Sequence, residues 1–183
     1  FQWIIPNRYN IASDICDRHA GYEDKTSLYY EDEKGSREEY TFRRLREMSN
    51  RFANFLASIG LKRNDRVGII LPQRPEAAIA HLGVYKLGGI AVPVSPLFRR
   101  EGLRYRLNDS GAKAVVTEPE TAGEIREVKE QIKSLQHLIS VEDARIDEYD
   151  FEREVSETSG VFETADTSAD DPAMIIYTSG TTG

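Results

Sequence analysis

Apolar residues fall at Phe42, Leu45, Met48, Phe52, Phe55, Leu56 and Ile59, the three- and four-residue spacing of one helix face. Thr41 stands where an N-cap belongs and Gly60 where the helix must stop. The stripe predicts a core-facing helix, not a cofactor site. Just upstream, SLYYEDEKGSREEYTF reads as a hairpin, two short strands around a charged loop containing Gly35.

From Asp65 onward a strand–helix rhythm sets in. RVGIIL is a short apolar strand closed by Pro72, and RPEAAIAHLGVYKLGG a helix with Pro75 in its first turn and Gly88 and Gly89 at its end. IAVPV, AKAVVT and HLISV read as further strands, separated by helices over REGLRYRLNDSG and TAGEIREVKEQIKSL. These strand runs are continuously apolar and β-branched, the pattern of parallel strands covered on both faces. The expected fold class is therefore α/β, with a wound, mostly parallel sheet flanked by helices and preceded by a β-hairpin. Pro93 cannot donate to a ladder, which points to a strand end, an edge or a bulge.

Four stretches follow from this reading: a hairpin and helix over 1–60, an α/β unit over 61–141, an acidic connecting segment over 142–171, and a strand with a polar loop over 172–183. The acidic segment carries 12 acidic and 2 basic residues within a chain of net charge -7. It reads as solvated, with one short helix near 149–155. A strand is expected over 174–177, running into TSGTTG.

Composition narrows the function classes. The 183 residues are 39% hydrophobic and 30% charged, enough apolar material for a packed core. A net acidic chain without a Lys/Arg run argues against a nucleic-acid or membrane-surface partner. No apolar run approaches the ~18 residues of a membrane span, and FQWIIPNRYN has neither the basic start nor the apolar stretch of a signal peptide. The first residue is not Met, so the expectation is a chain that begins after trimming or disorder. One cysteine, Cys16, allows no internal disulfide and suggests a reducing cytoplasm.

The terminal loop is the main chemical candidate. Loops beyond the carboxyl ends of strands are where open α/β sheets bind ligands. Gly180 and Gly183 let successive backbone N–H groups approach one oxygen closely. Thr178, Ser179, Thr181 and Thr182 add four hydroxyl donors, and no acidic side chain intrudes. The composition suits a polyanion such as a phosphate chain, and equally a plain polar turn. G-x-x-x-x-G-K-[ST] is not present.

YTSGTTG preceded by DDPAMII resembles the phosphate-binding signature of the adenylate-forming superfamily: acyl-CoA synthetases, peptide-synthetase adenylation domains and luciferases. YTFRRLREMSNRFANFL, DRVGIILPQRPEAAIAHLGVYKLGGIAVPVSP and LRYRLNDSGAKAVVT are similar to family segments in the same order, so the resemblance covers nearly the whole chain. YNIASDICDRHA and LRYRLNDSGAKAVVT are most similar to acyl-CoA synthetases of the medium-chain and aryl type, and VPVSPLF departs from acetyl-CoA synthetases.

The resemblance implies ATP-dependent activation of a carboxylate to an acyl-adenylate, then thioester formation with CoA. ATP, CoA, Mg2+ and a small carboxylate are the implied cofactor and partners, with no nucleic acid and no membrane span; a homo-oligomer stays open. It assigns the ATP phosphates to Thr178, Ser179, Gly180, Thr181, Thr182 and Gly183. The catalytic and metal-holding residues are expected downstream of Gly183, so these 183 residues alone are expected to be inactive. An adenylation domain loading a carrier protein, and a non-catalytic nucleotide-binding module, are the alternatives.

Other candidates have plainer readings. Trp3 and Tyr9 are expected as packing anchors, and His81 as a structural or surface residue. Arg99 and Arg100 are expected in a solvated first helical turn. Cys16 and His19 lie three apart but lack a third orienting group.

Overall fold

The computed structural model of the protein describes residues 4–21 and 25–178. After helix α1 (Ile11–Ile15), strands β1 (Thr26–Glu31) and β2 (Arg37–Thr41) pair as an antiparallel hairpin. The hairpin leads directly into helix α2 (Phe42–Ser58), whose N-cap Thr41 accepts a bond from the Arg44 N–H. The expected hairpin, cap and helix are all present.

The main sheet is wholly parallel and runs β4-β3-β5-β6-β7. Its strands are β3 (Arg66–Ile70), β4 (Ile90–Pro93), β5 (Ala114–Thr117), β6 (His137–Ser140) and β7 (Tyr149–Asp150). Helices α3 (Pro75–Lys86), α4 (Arg100–Ser110) and α5 (Pro119–Val128) connect successive strands, and α6 (Phe151–Glu157) follows β7. The α5 helix is shorter than expected, giving way to a 3-10 turn at Lys129–Gln131.

The strand order reverses between β3 and β5, the doubly wound order with its switch point there. Thr117 Oγ1 donates to the Ile70 carbonyl at 3.1 Å and stitches that point together.

Alternation along the strands fills two cores. Val67, Ile69, Ala114, Val116 and Ile139 face α2 and α3 with Phe52, Phe55, Leu56 and Ile79. Ile70, Val115 and Leu138 face Leu103, Leu107 and Ile125 of α4 and α5. Burial on both faces is why these strands read as continuous apolar runs. Where α2 crosses α3 the approach is close: a Cβ on Gly83 would lie 2.6 Å from Phe52 Cδ1 and 3.2 Å from the Ser49 carbonyl oxygen.

The strand expected over 174–177 is realised as an extended segment joined to β4 by a single parallel bridge, Ala91 with Met174. Ala91 N–H donates to Ala173 O, and Ile175 N–H to Ala91 O, both at 2.9 Å. The next donor on that side of β4 would come from Pro93, which has no N–H. The ladder stops there for that reason.

The acidic stretch is more ordered than a solvated connection. Asp150 caps α6 by accepting from the Arg153 N–H at 2.8 Å. The chain beyond α6 then lies along α2, where Asn50 Nδ2 donates to Gly160 O at 2.9 Å and Asn54 Nδ2 to Ser159 O at 2.7 Å. It continues past the end of α3, with Ala165 N–H bonded to Lys86 O at 2.8 Å. Tyr9 and Thr167 exchange bonds, 2.9 Å from Tyr9 N–H and 2.6 Å from Thr167 Oγ1. Side-chain amides of Asn50 and Asn54, the Arg51 guanidinium, which donates to the Ser156 and Thr158 carbonyls, and backbone bonds hold this strap together. Most of the stretch's carboxylates stay exposed; Glu148, buried against Arg126, is the exception, and Asp171 pairs with Arg63.

Candidate functional site

The carboxyl ends of β3 and β4 and the segment after Met174 emerge on one edge of the sheet. Residues 71–74 follow β3, residues 94–97 follow β4, and Ile176 stands beside them. With Tyr29 and Tyr30 of the hairpin and His81 of α3 they line an open cleft of about 850 Å³. Pro72, two residues past β3, and Pro93, the last residue of β4, keep the strands from extending over it.

Period-two alternation continues through the last described residues. Ile175 and Tyr177 pack on the α4–α5 core, while Ile176 faces the cleft. Tyr177 is held firmly: its hydroxyl donates to Asp109 Oδ2 at 2.7 Å and approaches the Arg106 carbonyl oxygen at 3.2 Å. Burial, and then the Asp109 carboxylate, push the phenol up to about 12, so it stays protonated and donates. Thr178 follows, exposed, at the sheet's carboxyl edge. It is the one expected site residue within the described chain; Ser179, Gly180, Thr181, Thr182 and Gly183, like Trp3, lie outside it.

Arg74, Arg99 and Arg100, near this edge, are already engaged by carboxylates. Arg74 donates to Glu76 Oε2 at 2.6 Å and Glu142 Oε1 at 2.8 Å. Burial works against its charge, but the two carboxylates outweigh that and hold the guanidinium protonated above its ordinary value. Arg100 pairs with Glu124 at 3.0 Å and with Glu127, while Arg99 lies 3.5 Å from Glu120 and Glu124. The turn at Arg99 and Arg100 is solvated as expected, both side chains being exposed, and it also pairs with α5 across the surface.

His81 is half-buried, with Nδ1 3.4 Å from the Tyr85 hydroxyl. Burial pushes its imidazole below the ordinary value, so it is neutral near pH 7. Cys16 is buried against the Phe42 carbonyl, and His19 stacks on the Phe42 ring at 5.0 Å. Burial, with Asp17 adding to it, pushes the thiol up to about 11. That is a packing thiol, not a nucleophile.

Two features escaped the sequence reading. Lys86 is fully buried, with Nζ bonded to Asp17 Oδ1 and Asn50 Oδ1, each at 2.6 Å. Its signal was a lone Lys closing a helix whose last turn, LGVY, is apolar. Arg106 lies over the Phe98 ring at 3.6 Å and nears the Tyr177 ring at 5.6 Å. Nothing local in sequence marks that contact.

Among the described residues, no group of three or more His, Cys, Asp or Glu side chains is placed to hold a metal ion. No helix among them is long and apolar enough to cross a membrane.

The family model described as "AMP-binding enzyme" matches residues 16–183. The chain belongs to the AMP-binding enzyme family. Its match takes in the second core, nearly all of the first, the cleft-lining residues and the TSGTTG stretch.

Similar proteins include an uncharacterized acyl–CoA ligase of Bacillus subtilis, 31% identical over 180 residues, covering 98% of this chain and 33% of the relative. An acetyl-coenzyme A synthetase of the same bacterium is 36% identical over 184 residues, covering 96% and 31%. Among solved structures, the anthranilate CoA ligase AuaEII in complex with anthranoyl-AMP superposes with a TM-score of 0.89 at 26% identity, covering 98% of this chain and 34% of that one. This AMP-binding chain therefore spans about a third of the length of the relatives it matches.

Proposed function

We propose that the polypeptide carrying this segment is an AMP-forming acid–CoA ligase. A carboxylate oxygen attacks the α-phosphorus of ATP, forming the acyl-adenylate and releasing pyrophosphate. The CoA thiol then attacks the acyl carbon and displaces AMP, leaving a thioester. Neither step needs a covalent protein nucleophile, so catalysis rests on positioning and on charge stabilisation.

In this reading the loop from Thr178 to Gly183 grips the ATP phosphates through its hydroxyl and backbone N–H donors. The observation that carries it is the delivery of Thr178: an extended segment, bridged to Ala91 and anchored through Tyr177, runs out at the carboxyl edge of a parallel sheet. Ligands of open α/β sheets bind at that edge. The relatives' names as CoA ligases and synthetases support the same reaction. Mg2+ would accompany the nucleotide, but the described residues offer it no acidic cluster.

The acyl group is proposed to be medium-chain or aryl, placing the enzyme in carboxylic- or fatty-acid activation. That follows the sequence resemblance and the anthranilate ligase; an acetyl-coenzyme A synthetase of comparable similarity is the counterweight. A reducing cytoplasm suits the single buried thiol.

The experiment is exchange of labelled pyrophosphate into ATP by the full-length protein, run against a panel of carboxylates, followed by thioester analysis with CoA. Carboxylate-dependent exchange with AMP and acyl-CoA as products is expected. Release of ADP, or transfer to a carrier protein but not to CoA, contradicts it.

A further inference from the structure

We propose that Arg106 is a positioning residue for ATP: its guanidinium, stacked on Phe98 and bearing on Tyr177, fixes the point from which the phosphate loop departs. The inference rests on the ligase reading for its substrate, but its geometry stands independently.

Three contacts tie Tyr177 to α4. Its hydroxyl bonds to the Asp109 carboxylate and lies 3.2 Å from the Arg106 carbonyl, while its ring faces the Arg106 guanidinium at 5.6 Å. Tyr105 adds an edge-on ring contact at 6.4 Å. One turn of helix thus grips the last anchored side chain before Thr178.

Arg106 is unusual among the arginines near this edge. Arg74, Arg99, Arg100 and Arg104 all pair with glutamates. Among the described residues Arg106 has no carboxylate within ion-pair distance, and its Nε is buried without a hydrogen-bond partner. Its one side-chain bond runs from Nη1 to the Gly102 carbonyl of its own helix, at 3.0 Å. A guanidinium left without a counter-ion is held here by aromatic faces, which attract cations more strongly when desolvated. No described carboxylate neutralises its charge, and it sits beside Tyr177, next to a segment proposed to bind a polyanion.

Phe98 completes the arrangement from the other side. It belongs to the turn between β4 and α4, and Gly102 leaves room for it: a Cβ there would lie 3.0 Å from Phe98 Cδ1. The stack therefore links the loop after β4 to the segment after Met174, two chain exits on the same sheet edge. An arginine serving only to pack could be replaced by a long apolar side chain with little consequence; one that holds Tyr177 through its charged plane could not.

The test uses the full-length protein with Arg106→Met, which keeps the stem but removes charge and plane, and Arg106→Lys, which keeps the charge alone. Tyr177→Phe removes only the hydroxyl bonds. For Arg106→Met, the KM for ATP in pyrophosphate exchange is expected to rise about tenfold, the scale of one desolvated cation–π contact. Thioester formation from supplied acyl-adenylate should change far less. Arg106→Lys should recover part of the loss, and Tyr177→Phe should show a smaller defect in the same step.

Hydrogen exchange supplies a readout independent of activity: the peptide covering 172–178 should exchange faster in Arg106→Met, with β3 and β5 unchanged. An unaltered ATP KM and unaltered exchange in a folded Arg106→Met protein overturn the proposal. Equal losses in both half-reactions also overturn it, leaving packing alone. If the unsubstituted protein proves inactive yet the 172–178 peptide loosens as expected, the ligase reading fails while the Arg106 latch stands.

Discussion

Lys86 Nζ sits 2.6 Å from Asp17 Oδ1, and its side chain is wholly shielded from solvent. The same ammonium reaches Asn50 Oδ1 on α2, whose Nδ2 holds the Gly160 carbonyl of the acidic strap. One buried charge therefore ties together the turn after α1, α2 and α3, and indirectly the strap. Burial holds the ammonium below the ordinary lysine value even with Asp17 beside it. The pair organises the region more than it stabilises it.

Removing one member should be far worse than removing both. Lys86→Met is expected to lower unfolding stability by roughly 3 kcal/mol, because Asp17 loses its partner. Lys86→Met combined with Asp17→Leu should recover much of that loss. Urea unfolding of the three proteins checks this, and additive losses in the double variant would contradict it.

The crossing of α2 and α3 makes a second prediction. Gly83→Ala places a methyl 2.6 Å from Phe52 Cδ1 and close to backbone oxygen on α2. The helices must separate, at a cost of about 1–3 kcal/mol. Thermal unfolding should show it, whereas Gly123→Ala, which meets nothing within 4 Å, should leave stability unchanged or slightly raised.

A pH dependence follows from Glu148. Its side chain is nearly fully buried and takes 2.8 Å bonding from Arg126 Nη2, plus the Arg145 N–H at 3.1 Å. The Arg126 bond outweighs burial and holds the carboxyl below the usual carboxylate range. A carboxyl with a lowered folded value stabilises above its unfolded value, near about 4.3, and loses that contribution as pH falls through the folded one. Glu148→Gln should thus be clearly less stable at pH 7, and the gap should narrow below about pH 4. A gap that is constant across that range rules the pair out as the cause.

Cys16 offers a simple check on the first core. With the thiol buried and pushed up to about 11, alkylation at pH 8 should be slow in the folded protein and rapid in denaturant. Fast labelling of the native protein would mean that the α1 region opens readily.

The sequence was most legible where cause and effect are local. Thr41 caps the helix that starts at Phe42, and the β-branched runs at 66–70, 90–93, 114–117 and 137–140 each form a parallel strand. Pro93 was also readable, although its consequence, the early end of pairing with 173–175, needed the neighbouring segment to be placed. The acidic strap was read as solvated because its anchors are remote: Asn50 meets Gly160 and Arg63 meets Asp171, each more than a hundred residues away. The contact of Arg106 with Tyr177 spans 71 residues and leaves no periodic trace. The loop's chemistry was legible as a motif, but only Thr178 of it has a described position.

The most direct measurement compares the two half-reactions in the full-length protein carrying Thr181→Ala or Gly180→Ala. If the loop grips the phosphates of ATP, pyrophosphate exchange should fall about tenfold to a hundredfold, the scale of one hydrogen bond to a charged group. Thioester formation from supplied acyl-adenylate should stay near the unsubstituted rate. Equal loss in both steps, or no loss in exchange, would contradict a phosphate-binding role for residues 178–183.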